Sequence, residues 1–403
     1  MKKQWIAILA LSIIMVPALS QAAQFSVVGP RALGMGGASV AAVNDSTAVY
    51  WNPAALADFR KVDIRVPVEA GIADHMGLKD TWDKINNIYS KVQALDQTAA
   101  NDMKQLISDL DKPDTGADVD LSAGLLVSIP IAKSALAVSA LGLGYAGLFP
   151  VVDTLNTDTS ITLPLSPNYI ANNHTAVTGL GLTAREPAVS LATSFGDAVF
   201  IGVNAKMIYA DTYVNSTAIT TNTFNTFRSD FEQSKTSTNK ASLDAGILIK
   251  PAESVRVGVV GRDLNSPSFP YEGAVAQKQP SGDVILATAT KGEITFDPQY
   301  RAGLAWQPFK TLTLAADYDL TKNKTLTPGY ESQTAAVGLE KTFLAEYLNL
   351  RVGANKNMAD SGAKTIYTAG LGLRFLALRF DLAGGYDFDK KQGEVSVDLA
   401  LRF

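Results

Sequence analysis

The chain has 403 residues with 35 Lys+Arg against 39 Asp+Glu, a formal net charge of -4, so it lacks the basic face that a dedicated nucleic-acid binder needs. With no cysteine and two histidines, disulfides, Cys-ligated zinc, iron–sulfur clusters and CxxC redox chemistry are excluded, and little is left for a His-rich metal site. Apolar residues make up 47% of the chain yet mean hydropathy is only +0.09, so apolar and polar residues are interleaved, unlike a bundle of transmembrane helices.

The one long apolar run comes first. Met1-Lys2-Lys3 is a basic n-region, Trp5 to Leu19 an apolar h-region, and Ser20-Gln21-Ala22 a small-x-small cleavage site. The run is short for a permanent span, so residues 1–22 read as a signal peptide cleaved after Ala22 and the mature chain as exported. Residues 23–58 are rich in small residues. They contain Gly29-Pro30-Arg31-Ala32-Leu33-Gly34-Met35-Gly36-Gly37-Ala38 and, further on, Tyr50-Trp51-Asn52-Pro53-Ala54-Ala55. The glycines permit tight turns and close approach, Asn52 suits the cap of the following turn, and Pro53 suits its first helical position.

From Val62 onward the dominant period is 2. Val62, Ile64, Val66, Val68, Ala70 and Ile72 alternate with Asp63, Arg65, Pro67, Glu69 and Gly71. A helical insert over about 77–112 interrupts this pattern, with Leu78, Trp82, Ile85, Tyr89 and Val92 as one stripe and Met103, Leu106, Ile107 and Leu110 as a second. Alternating segments resume at 119–129 and recur near 135–145, 185–195, 198–210, 241–250, 255–263, 298–306, 311–320, 333–341, 347–355, 366–375, 378–387 and 394–403. That gives about fourteen strands of about ten residues, the length a tilted strand needs to cross a bilayer.

The connections alternate too. Short turns at 130–134, 196–197, 251–254, 307–310 and 376–377 separate longer connections at about 73–118, 146–184, 211–240, 264–297, 321–332 and 356–365. Tight turns at one end and long loops at the other are the pattern of an outer-membrane barrel. The expected architecture is therefore all-β: a transmembrane antiparallel barrel over residues 59–403, with residues 23–58 as a plug in its lumen and the helical insert in the first outer loop. A barrel of this size cannot fill its interior with side chains alone.

The last strand places Val395, Val397, Leu399, Leu401 and the terminal Phe403 on one face, with Ser396, Asp398, Ala400 and Arg402 on the other. Leu399, Leu401 and Phe403 resemble the signal read by the bacterial barrel assembly machinery, an expected partner along with outer-membrane lipid. The R-A-x-G-M-G-G-A stretch at 31–38 and the W-N-P-A stretch at 51–54 resemble the N-terminal hatch of the FadL family of outer-membrane transporters. That resemblance implies a hatch in which Arg31, Gly34, Gly36, Gly37, Asn52 and Pro53 carry the motif. Length and the insert after the first strand look most like the barrel-type family labelled as the conjugal transfer protein TraF. The thioredoxin-like protein of the same label needs cysteines that this chain lacks.

Several lookalikes fail on context. Gly142, Gly144 and Gly147 spell G-x-G-x-x-G at the end of a strand with no helix after it, and read as lumen-facing strand glycines; Gly34 to Gly37 lacks the Lys-Ser/Thr of a phosphate loop. His75 and His174 sit in outer loops without a hydrolase elbow or zincin spacing, and no Ser-His-acid set is visible, so no enzyme, catalytic residue, metal or cofactor is expected. Asp109, Asp111, Asp114, Asp118 and Asp120 lie close together but miss the EF-hand register and read as a solvated loop. Phe224, Phe227 and Phe231 are the weak candidates for ligand contacts near the entrance, and their spacing of 3 and 4 favours one face of a short packed helix over a ligand site. What the resemblance implies is a plugged channel for small hydrophobic molecules in the outer membrane of a Gram-negative bacterium; the alternative is a structural component of a transfer or surface apparatus.

Overall fold

A computed structural model describes residues 25–93, 98–112, 115–159, 170–219, 224–344, 347–388 and 392–403. The segment 1–22, expected to be a signal peptide, and Pro113 and Asp114 lie outside these residues, as do the side chains of Tyr89, Val92 and Phe224. The strands are β1 (Asp63–Asp74), β2 (Ala117–Ile131), β3 (Ser134–Val151), β4 (Ala176–Phe195), β5 (Val199–Ala218), β6 (Thr236–Ala252), β7 (Val255–Arg262), β8 (Ser268–Lys278) and β9 (Val284–Thr295). They continue as β10 (Gln299–Phe309), β11 (Leu312–Asp319), β12 (Asn323–Lys324), β13 (Glu331–Ser332), β14 (Thr334–Phe343), β15 (Leu348–Asn357), β16 (Ile366–Phe375), β17 (Leu378–Asp387) and β18 (Gln392–Arg402).

Fourteen of them form one closed antiparallel barrel, in the order β1-β18-β17-β16-β15-β14-β11-β10-β7-β6-β5-β4-β3-β2. Closure is made by β18 on β1, in register from Asp63 opposite Arg402 to Ile72 opposite Gly393. A closed sheet leaves no unpaired edge, and that is the condition for placing strands in hydrocarbon. Every expected barrel strand is present, because the period-2 pattern survives folding intact. On β1, Val66, Val68 and Ile72 are exposed at 46%, 46% and 47% while Asp63, Arg65 and Glu69 are buried at 0%, 3% and 3%. Exposed apolar side chains cover the outer face of the barrel and most charged strand residues point inward, the inverse of a soluble protein, while Leu126, Phe200, Ile208 and Leu248 also face in, into the core built around residues 25–59. Phe195, Phe309, Phe375 and Phe403 ring the end that carries the short turns, as an interfacial aromatic girdle does. At that end Ala132, Leu344 and Leu376 adopt φ of 51°, 51° and 54°, the left-handed geometry that tight hairpins demand.

The structure corrects several expectations. β4 and β5 each run for 20 residues, well beyond 185–195 and 198–210, so their far ends extend past what a bilayer of about ten residues per strand requires. The connection read as loop over 264–297 contains the β8–β9 hairpin, and that over 321–332 the short β12–β13 pair. Pro270, Gly273 and a register shift at 273/275 obscure the alternation there. The hairpin folds onto the inner face of β5: Thr212 Oγ1 donates to the Pro270 carbonyl at 2.7 Å, and the Ala276 N–H donates to Ser216 Oγ at 2.8 Å. Gly142 and Gly144 share the outward face with lipid-side Leu121, so they are not lumen glycines. Two helices occupy the first long connection, α3 (Leu78–Gln93) and α4 (Ala99–Leu110), counted after the short segment helices α1 (Pro30–Gly34) and α2 (Ala48–Trp51). Their contact is made by Ile85 and Ile88 against Met103, Leu106, Ile107 and Leu110. Trp82, expected in the packed stripe, is instead 40% exposed; the buried line runs Thr81, Ile85, Ile88.

Candidate functional site

Residues 25–59 lie against the inward-facing side chains of the barrel and are almost wholly buried. α1 contacts β15 to β18, and the 3-10 turn Pro53–Ala57 contacts β3 to β6, so the segment reaches across the lumen between opposite walls. Its fit depends on glycines in the wall. A Cβ at Gly246 would lie 2.1 Å from Asn52 Oδ1, one at Gly202 2.3 Å from Pro53, one at Gly338 2.4 Å from the Met35 carbonyl, and one at Gly353 2.3 Å from the Gly36 nitrogen. No side chain fits at such distances, so these strand positions accept the segment only as glycine. Gly36 and Gly37, at φ of 69° and 90°, make the turn that lets the backbone pass at this distance.

Each motif residue has a defined partner. The Arg31 guanidinium donates to Glu340 through Nε at 3.0 Å and Nη2 at 2.8 Å, and to the Ala42 carbonyl at 2.8 Å. Glu340 also accepts from Arg351 Nε at 2.7 Å, and Arg351 continues to Asp381 at 2.5 Å. Gly34 offers its carbonyl to Thr368 Oγ1, which in turn accepts from the Gly36 N–H at 3.0 Å. Asn52 Oδ1 accepts from the Ala54 N–H at 3.1 Å, capping the turn that Pro53 opens, while its Nδ2 donates to the carbonyls of Val40 and Ile247, both at 3.1 Å. The Ser39 and Val40 N–H groups both donate to Asp317, at 2.7 and 2.8 Å. Phe25, Tyr50 and Trp51 form an aromatic cluster held between two wall arginines: Arg262 lies 3.8 Å from the Tyr50 ring centre and Arg301 4.0 Å from that of Phe25. Glu340, Arg351, Asp317, Arg262 and Arg301 were not singled out from sequence. The available signal is their parity, since each is a charge on the polar side of an alternating strand.

Above the segment lies a cavity of about 130 Å³, lined by the segment, by β1, β2 and β18 and by β14 to β16 across from them, and faced by Glu69, Asp118, Asp120 and Glu394. Outside it, α3 leans over the barrel rim and leaves an apolar groove of about 400 Å³, lined by Met76, Leu78, Trp82, Ile85, Leu148, Val177 and Phe227. Phe227 belongs to α5 (Phe224–Gln233) and stacks at 6.0 Å on Phe231, which stacks on Tyr213 at 5.6 Å. Both phenylalanines seat on Gly179 and Gly181 of β4, where a Cβ would meet each ring at 2.8 Å. Phe231 is thus a packing residue, and Phe227 both packs and faces the groove.

The remaining sequence candidates separate in space. Asp109 pairs with Lys84 and Lys112 on the helical insert, and the hydrogen bond from Lys112, then that from Lys84, draws its carboxyl down to about 2. Asp111 faces Lys278 at 3.6 Å, whereas Asp118 and Asp120 point into the barrel. His75 lies 2.6 Å from the Gln392 amide. His174 meets Asp153 and Asp283 in an outer-loop cluster that no sequence spacing reveals, with ligand atoms within 4.8 Å of one another. Asp153 already accepts four N–H bonds, from the backbones of Leu155, Asn156 and His174 and from the Asn156 amide. Burial pushes that carboxyl up, but these bonds outweigh it and hold it below the usual carboxylate range, so it acts as a loop brace.

The model of the family described as "F plasmid transfer operon, TraF, protein" matches residues 49–319, more than half of the chain. No curated protein matches it in sequence. The fold is similar to that of a Pseudomonas aeruginosa FadL homologue, with TM-score 0.58 and 12% identity over 95% of this chain and 99% of that one. It is also similar to CymD, a monoaromatic hydrocarbon channel, with TM-score 0.56 and 12% identity over 94% and 98%. The P. putida toluene transporter TodX gives TM-score 0.54 and 10% identity over 94% and 99%. At these identities the likeness establishes a shared FadL-like barrel fold.

Proposed function

The chain belongs to the family of the F plasmid transfer operon protein TraF, and within it we propose that this member is a plugged outer-membrane channel for small hydrophobic molecules. The observation that carries the reading is residues 25–59: they reach from wall to wall of the lumen, yet are held by polar bonds and glycine contacts rather than by the sheet. A segment held so can leave without opening the barrel, because the strands satisfy one another's backbone groups. The apolar exterior supports an outer-membrane location. The groove under α3 supplies an entry site of suitable chemistry, because it is mainly apolar and stands at the end of the barrel opposite the short turns. The fold neighbours named as hydrocarbon channels agree with this class of passenger.

The second reading, a structural component of a transfer apparatus, draws on the family's description. Uptake of a small aromatic hydrocarbon by liposomes containing the purified protein separates the two. Uptake above that of empty liposomes, with bound lipophilic molecules in native mass spectra, supports the channel. Absence of both, with stable recovery of partner proteins after mild extraction, favours the structural role.

A further inference from the structure

We propose that the short-turn end of the barrel binds a small, multiply charged oxyanion, gripped by Arg379 and Arg402 with Arg374 beside them. This inference is independent of the hydrophobic-passenger reading. The three residues lie on the inward faces of three consecutive strands. Arg374 on β16 is directly opposite Arg379 on β17, and Arg402 on β18 is the diagonal neighbour of Arg379, which itself faces Ala400. Directly opposed positions have Cβ atoms about 5 Å apart and diagonal ones about 7–8 Å, within reach of arginine side chains, and like charges so placed repel.

The acids nearest Arg379 and Arg402 pair with other arginines, Asp45 and Asp63 among them with Arg65. Glu340 is shared by Arg31 and Arg351, Asp381 by Arg351 and Arg65, and Asp398 pairs with Arg65. Among the described residues no carboxylate lies within ion-pair distance of Arg379 or Arg402, and the Nε of each is buried without a hydrogen-bond partner. Both face a polar cavity of about 120 Å³ whose lining also includes Lys310 and the carboxylates Asp45, Glu340 and Asp381, each of which is paired with another arginine. That volume holds a tetrahedral oxyanion with a few waters, each water taking about 30 Å³. Two guanidinium forks with buried, unsatisfied donors match the geometry of phosphate-like oxyanions, which accept paired N–H bonds, and a dianion offsets the repulsion among the three arginines.

The test is thermal unfolding of the full-length barrel in detergent with inorganic phosphate, acetate or chloride at equal ionic strength. Phosphate is expected to stabilise the wild type saturably and beyond chloride. In R379Q/R402Q its apparent affinity should fall at least tenfold, whereas K291Q on the outer hairpin should respond like wild type. Without phosphate, R379Q/R402Q should be at least as stable as wild type, because repulsion has been relieved; a merely structural pair of arginines would give the opposite sign. R379K/R402K retains the charge without the fork and should bind severalfold more weakly, so it decides the matter if the Gln pair does not fold. A phosphate response no greater than that of chloride, one matched by acetate, or one unchanged in either double variant would overturn the proposal.

Discussion

Arg31 and Glu340 are 309 residues apart in sequence, yet they meet in a two-pronged ion pair, 3.0 and 2.8 Å, that fastens the N-terminal segment to the barrel wall. Both side chains are about nine-tenths buried, so neither charge is well served by water if the other is removed. The pair is extended by Arg351 and Asp381, so the segment is a member of a charge network and not an appendage to it.

Replacing Arg31 by Ala strands part of that network. Breaking a buried pair costs about 3–5 kcal/mol, and here the loss falls on segment docking because the strand ladder is untouched. Heat-modifiable migration should persist while protease cleavage within residues 25–59 rises. Unchanged protection would mean that Arg31 does not hold the segment.

Gly246→Val tests the glycine contacts directly. The new side chain would overlap Asn52, whose Oδ1 sits 2.1 Å from the Cβ position, while Gly246 itself lies in a regular part of β6. The barrel should fold with the segment displaced. Gly329→Val, where nothing lies within 4 Å, is the spatial control; its φ of 81° adds strain only to an outer loop.

How much of this was legible in the sequence follows from what period 2 encodes. Val66, Val68 and Glu69 declare their faces locally, so strands, turns and closure can be read from alternation. Asn52 and Pro53 announce their turn because capping is a local matter. The partner of Arg31, by contrast, is fixed by which strand curls past it, and no spacing encodes that. The β8–β9 hairpin stayed hidden because Gly273 and its bulge break the alternation, and the role of Trp82 because one residue's rotation of α3 moves it from packing to groove.

In the outer loops, Asp153 gives a pH signature. Its folded carboxyl lies below the ordinary value of 3.8, so its contribution is fully present above that value and is lost as pH falls through the folded value. Loop proteolysis should therefore be flat from pH 8 to about 5 and rise only in stronger acid. Asp153→Asn should show the acid behaviour at neutral pH. A wild-type transition near pH 6 would contradict the assignment.

At the C-terminus, Phe403 is 64% exposed with Leu401 and Leu399 on the same outward face, whereas Arg402 lies inward over the Phe59 ring at 5.6 Å. Phe403→Asp should reduce folded protein in the outer membrane far more than Arg402→Asp. A charge near the interface costs only about 0–1 kcal/mol in the folded barrel, so a larger loss would reflect assembly. Equal losses would count against the signal.

The most direct test of the plugged channel is single-channel conductance in planar bilayers for the full-length mature protein and for a deletion of residues 29–57. Residues from Gly29 to Ala57 are almost wholly buried within the barrel, and on the proposed reading they block a lumen that side chains of a barrel this wide do not close alone. The full-length protein should be silent or nearly so, and the folded deletion should conduct steadily. A folded deletion that stays silent, or a full-length protein that already conducts as freely, would contradict the account.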